Sequence, residues 1–161
     1  VACAVPFYGV YDFTNRNGAG PKETVPFFIA PFVMKADPQE APEAYALASP
    51  LDQVHADAPP FFVIHGDIDV LAPVEDARDF VDRLRAVSNQ PVYYLELHGA
   101  QHAFEVFASI RANAVIEAVE RYLDAVHTAH EEAGTRAPTG AEVEAAVADE
   151  LGTEIADELE V

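Results

Sequence analysis

Across residues 61–126 the apolar positions change period three times, and that succession restricts the fold more than any other feature of the chain. Pro59-Pro60 introduces residues 61–64, four consecutive apolar residues of strand size. From 74 to 87, Ala77, Phe80, Val81, Leu84 and Val87 recur at helical spacing with charged residues between them. Glu75 and Asp76 fall in the first turn of that helix, where negative charge suits the free backbone N–H groups. Pro91 then introduces VYYLEL, a β-branched and aromatic strand that Gly99 breaks. A second helix is expected over about 104–126, with Val115, Val119, Tyr122 and Val126 on one face. Strand, helix, strand, helix in this order predicts a parallel sheet with right-handed crossovers, an α/β architecture.

The flanks extend this frame. Residues 1–10, VACAVPFYGV, read as a further buried parallel strand, which brings the expected sheet to about three strands with flanking helices. The chain opens inside that strand, so it is read as a piece of a longer protein. Residues 11–57 are punctuated by Pro and Gly, with short helical patches near 26–35 and 41–48. A long excursion of this kind inside a compact domain usually forms a lid or cap over a site. Residues 131–161 carry ten acids against the single Arg136. Thr139 and Glu142 have the spacing of a capping box, and Val143, Val147, Leu151, Ile155 and Leu159 recur every fourth residue. Either an acidic helix or a solvated, disordered tail fits that text. The expected division is therefore a partial domain over 1–130 and an acidic tail over 131–161.

Charge removes several classes of function. The formal net charge is −19, which repels phosphate backbones and anionic membrane surfaces alike, so no nucleic-acid partner is expected. The lone Cys3 lies in an apolar stretch with no second cysteine, so there is no disulfide framework.

In open parallel sheets the active groups gather at the carboxyl ends of strands, and two polar loops stand there. HGDIDVLAP carries Asp67 and Asp69; LHGAQHAF carries His98 and His102. Neighbouring strands lie about 5 Å apart, so an Asp–His hydrogen bond between the loops is geometrically easy. A carboxylate that accepts from one ring nitrogen fixes the tautomer and leaves the other nitrogen as a general base. His65 is read as support for the acid loop and His98 as a rim or packing residue. A metal pair from His98 and His102 would need both on one helix face, which Gly99 and the preceding strand oppose.

SPLDQVHADAPPFFVIHG, the H-G-x-x-D-x-x-x-P turn and the G-x-x-H-x-F turn together resemble the carboxyl-terminal half of an α/β-hydrolase. The similarity is to the esterase/lipase branch that includes hormone-sensitive-lipase-like carboxylesterases, and it covers about residues 1–127. The resemblance implies that Asp69, three residues after Gly66, is the triad acid and that His102 is its histidine. It leaves Asp67 to turn chemistry. Ala72 stands where that family usually has Val. The family also needs a G-x-S-x-G elbow and a Gly-rich oxyanion loop upstream of these residues; neither motif occurs in the 161 residues. Ser49, Ser88 and Ser109 lack the elbow context, so the chain alone is expected to carry no nucleophile and no turnover. No metal or organic cofactor is implied, and the implied ligand is a small-molecule ester.

Phe27, Phe28, Phe32 and Phe107 are candidates for an acyl pocket, and equally for core. Two other readings stay open. One is a prolyl-oligopeptidase-like serine peptidase fragment; the other is a non-catalytic remnant or interaction module working through the acidic tail. An unpaired edge on the first strand, or the tail itself, would be the route to a homo-oligomer or a partner.

Overall fold

A computed structural model describes residues 1–20 and 25–151. Its centre is a parallel pair, β1 (Phe61–Gly66) and β2 (Val92–Leu97), in register from Phe61 opposite Val92 to Gly66 opposite Leu97. Between them runs α2 (Val74–Val87), the helix expected there. The excursion before β1 holds a wide helical segment, Val25–Met34, then α1 (Pro42–Ala48) and a single tight turn, Pro50–Asp52. After β2 come α3 (Ile110–Ala133) and α4 (Gly140–Leu151).

The first nine residues run parallel to β1 but join it only at two isolated bridges, Ala4 to Phe61 and Phe7 to Ile64. Phe62 and Ile64 donate their N–H groups to the carbonyls of Ala4 and Pro6, and Tyr8 donates back to Ile64. This segment is half-exposed rather than buried. Pro6 contributes no donor, and among the described residues no strand pairs with its outer side.

Alternation along β1 and β2 divides the core in two. Phe62, Ile64, Tyr93 and Leu97 face α3 and α4, and pack with Val115, Tyr122, Val126, Val143, Val147 and Leu151. On the other face Val63 and Val92 meet Phe80, Val81 and Leu84 of α2, with Tyr11 and Leu51 closing the layer. The stacked pair Tyr11–Phe80, 4.6 Å between centroids, ties the excursion to that helix.

α3 begins later than the expected 104 and ends beyond 126. Ser109 caps it, its hydroxyl accepting the N–H of Ala112, because residues 103–108 are taken up by turns at the carboxyl end of β2. Its far end persists because Ala125, Val126 and Ala129 continue the buried stripe. α4 opens on the capping box: Thr139 donates through N–H and hydroxyl to Glu142, and Arg136 pairs with the same carboxylate. Ile155 and Leu159 lie outside the described residues. Among those described, no helix is long and apolar enough to cross a membrane.

Candidate active site

Gly66 ends β1 because nothing larger fits: a Cβ there would stand 2.3 Å from the carbonyl oxygen of Ala100. That close approach lets the two strand-end loops cross-stitch. Asp67 N–H donates to Leu97 and Ile68 N–H to Ala100. Gly99, at φ +69°, takes the left-handed turn that returns the second loop toward the first.

The loops carry two Asp–His pairs rather than one. Asp69 Oδ2 lies 2.8 Å from His102 Nδ1. Its Oδ1 accepts the N–H groups of Leu71 and Ala72 at 2.8 and 2.9 Å. Two residues earlier, Asp67 Oδ2 lies 2.7 Å from His98 Nδ1, while its Oδ1 accepts Gly99 N–H. Burial separates the pairs. The side chain of Asp69 is 0% exposed and that of His102 is 27% exposed; for Asp67 and His98 the figures are 18% and 100%. The first pair is shielded and keeps one ring nitrogen of His102 available. The second is a solvated hydrogen-bonded pair that fastens the histidine loop to the acid loop. Although its desolvation opposes ionisation, Gly99 N–H and His98 hold the Asp67 carboxyl below its usual range.

His65 is fully buried at the end of β1. Its Nε2 lies 2.9 Å from the Ala72 carbonyl and 3.7 Å from Asp69 Oδ2. Burial lowers its pKa, so the ring is neutral and donates to Ala72, which fastens the acid loop from below.

Two residues that the sequence did not single out complete the surroundings of His102. Tyr8, at φ +40°, lays its ring 4.4 Å from the imidazole, centroid to centroid. Its hydroxyl donates to Glu105 Oε1 at 2.5 Å, and that bond, with burial and the charge of Glu105, pushes the phenol up to about 12. Ala103, next to His102, also has positive φ, at 57°. Left-handed backbone at non-glycine residues is costly and concentrates at functional sites. In the sequence both look like ordinary strand-end residues; only φ marks them.

A cavity of about 480 Å³ opens beside His102, walled mainly by Val10, Phe13, Phe28, Ile29, Val33 and Leu71. Of the four expected aromatic liners, Phe28 reaches this wall, Phe32 and Phe107 are exposed elsewhere, and the side chain of Phe27 lies outside the described residues. Two carboxyl groups also reach the wall, Asp12 and Asp76, each 4% exposed. Among the described residues no three His, Cys, Asp or Glu side chains cluster as a metal site. The hydroxyls of Ser49 and Ser109 serve Tyr45 and Ala112 respectively, and Ser88 bonds within its own turn to Gln90.

A family model described as BD-FAE matches residues 1–84. Over 127 residues the chain is 48% identical to the probable carboxylic ester hydrolase LipM of Mycobacterium tuberculosis, covering 79% of this chain and 29% of that protein. Esterase LipQ of the same organism is 39% identical over 127 residues, covering 79% of this chain and 30% of its own length. The chain thus spans under a third of these relatives. Among solved structures, an acylaminoacyl peptidase in complex with a chloromethyl ketone superposes with a TM-score of 0.64 at 16% identity, covering 76% of this chain and 19% of its own. The esterase Est2 of Thermogutta terrifontis gives 0.54 at 20% identity, covering 74% and 39%. At such identities the structural likeness speaks for the α/β-hydrolase fold alone.

Proposed function

The chain belongs to the BD-FAE family, and from that premise we propose that it supplies the acid and histidine of a serine carboxylic ester hydrolase. The observation that carries this reading is the shielded Asp69–His102 pair at the ends of adjacent parallel strands. Asp69 accepts from Nδ1–H of His102, which leaves Nε2 as the base. That nitrogen takes the proton of an attacking serine hydroxyl as the hydroxyl oxygen bonds to the ester carbonyl carbon. The resulting imidazolium is stabilised by Asp69 and returns the proton to the departing alcohol. A second round with water in place of the alcohol releases the acid. Asp69 serves as a fixed acceptor throughout, since its second oxygen is occupied by two backbone N–H groups.

The serine and the oxyanion donors are contributed by residues outside these 161, because no G-x-S-x-G or Gly-rich oxyanion motif occurs within them. The chain by itself therefore turns over no ester. An ester substrate is favoured over a peptide because the sequence relatives at 48% and 39% identity carry ester-hydrolase names.

The test joins this chain to the coding sequence upstream of Val1 and assays hydrolysis of a p-nitrophenyl ester. Asp69→Asn and His102→Ala should each lower kcat by roughly 10³–10⁴-fold. Asp67→Asn should stay within about tenfold of the parent, a change worth no more than one modest hydrogen bond. Near-parental activity of Asp69→Asn would overturn the assignment.

A further inference from the structure

The histidine loop starts from β2 but reaches across the end of β1 to the first segment of the chain. Asp67 fastens only its base, at His98 and Gly99. Farther along, three contacts tie it to residues 7 and 8. The Tyr8 ring lies 4.4 Å from the His102 imidazole, centroid to centroid. Phe104 stacks on Phe7 at 6.1 Å and meets the Tyr8 ring edge-on at 6.1 Å. The Tyr8 hydroxyl donates to Glu105 Oε1 at 2.5 Å. Tyr8 alone therefore touches His102, Phe104 and Glu105.

Backbone on both sides of this contact is held in a costly conformation. Tyr8 has φ +40° although a glycine, which takes such angles freely, stands one place later at Gly9; Ala103 has φ +57°. Such angles persist only where the surroundings over-determine them. Here Tyr8 N–H is fixed on the Ile64 carbonyl at 2.8 Å, and its hydroxyl is fixed on Glu105. A phenol donating to a carboxylate makes a charge-assisted bond of the stronger kind. That bond, followed by burial and the charge of Glu105, pushes the phenol up to about 12, so Tyr8 stays a neutral donor.

His102 needs such support. Its side chain is 27% exposed, so core packing does not clamp it. Asp69 holds Nδ1, but one hydrogen bond leaves the imidazole free to swing between side-chain rotamers. At 4.4 Å two rings are too close to meet edge to edge, so one lies over the face of the other and blocks that swing. We propose that Tyr8 is a positioning residue of the proton relay: anchored by Glu105, its ring holds the His102 imidazole in the orientation that keeps Nδ1 on Asp69 and presents Nε2 to the serine. Glu105 acts through Tyr8. The role rests on the ester-hydrolase reading, which gives His102 a proton to move.

The test uses this chain joined to the coding sequence upstream of Val1, with active sites counted by an irreversible fluorophosphonate so that kcat refers to folded enzyme. Two readouts are taken: kinetics on a p-nitrophenyl ester, and the far-downfield proton resonance of Nδ1–H between His102 and Asp69. Tyr8→Leu should lower kcat by roughly 10²-fold with KM within about twofold, the scale of a small misplacement of a catalytic group. Its downfield resonance should broaden through exchange with water. Tyr8→Phe keeps the ring and loses the anchor, so kcat should fall only about five- to tenfold, the scale of one hydrogen bond to a charged group. Glu105→Leu should match it, and the double variant Tyr8→Phe/Glu105→Leu should be no worse than either single, because the same bond is lost in all three. A parental kcat or an unchanged downfield resonance in Tyr8→Leu overturns the proposal. So does a loss confined to KM, which would place Tyr8 in substrate binding, and so do losses that multiply in the double variant. The ester-hydrolase reading fails separately: it falls with an active Asp69→Asn variant, whereas the resonance reports whether Tyr8 holds the ring irrespective of turnover.

Discussion

Asp67 and Asp69 stand two residues apart and each binds a histidine, yet only one of them is closed off from water. The family resemblance implied Asp69 as the acid, and Asp67 looked like turn chemistry. The structure gives Asp67 a larger part, bridging to His98 and Gly99 and so fastening the loop that carries His102. That partnership was hidden in the sequence because nothing local distinguishes two Asp–His pairs with the same loop origins; burial does. Asp76 shows the same limit from the other side. It reads as a helix first-turn acid, but tertiary packing buries it beside Asp12, and burial followed by that charge pushes its carboxyl up to about 6. The consequence for stability has a definite sign. Between the ordinary value of 3.8 and about 6, the folded chain holds a proton at Asp76 that the unfolded chain has released. Stability from this group is therefore fully present below that window and falls as pH rises through it. Asp76→Asn should accordingly raise the unfolding midpoint relative to the parent at pH 7, by on the order of 1 kcal/mol once solvent screening is allowed for. The difference should close by about pH 4, near the unfolded value of the group. Parallel thermal melts at the two pH values check this; a gain that persists at low pH would point to a cause other than ionisation.

At the scale of elements, α2 and β2 occupy the residues their patterns predicted, because helical spacing and β-branched composition agree with their tertiary surroundings. α3 is displaced toward the carboxyl terminus. Its expected start at Phe104 is overridden by the stacking of Phe104 on Phe7 and by the positive φ of Ala103, which divert the chain into turns until Ser109 caps the helix. α4 is an acidic helix whose Val143, Val147 and Leu151 are buried against Tyr93, Tyr122 and α3. Its apolar stripe thus serves the chain's own core. Val147→Ala should lower unfolding stability by about 2 kcal/mol through the cavity it leaves. Thr139→Ala should cost about 1 kcal/mol through the lost cap. Urea titrations read both as shifts of one transition midpoint with unchanged slope. If α4 unfolded separately from the sheet, Val147→Ala would leave the main transition where it was.

Over the whole molecule, charge and topology act on different things. The exposed ion pairs Arg16–Asp52, Arg78–Glu96 and Arg83–Asp79 offset little of the net −19. Self-repulsion remains, and screening relieves it. Raising NaCl from about 20 to about 300 mM should raise the melting temperature. A fall instead would mean that specific pairs outweigh the net field. The sequence by itself determined the α/β class and the strand-end position of the polar loops, while the choice of Asp69 and His102 among them came from the family resemblance. Periodicity and motif spacing are local properties that survive without knowledge of the packing. Only the tertiary structure decided that a second Asp–His pair is solvated, that Tyr8 lies over His102, and that Asp76 is buried beside Asp12. Those are distances between residues far apart in the chain, and they exist only once the sheet has brought its loops together.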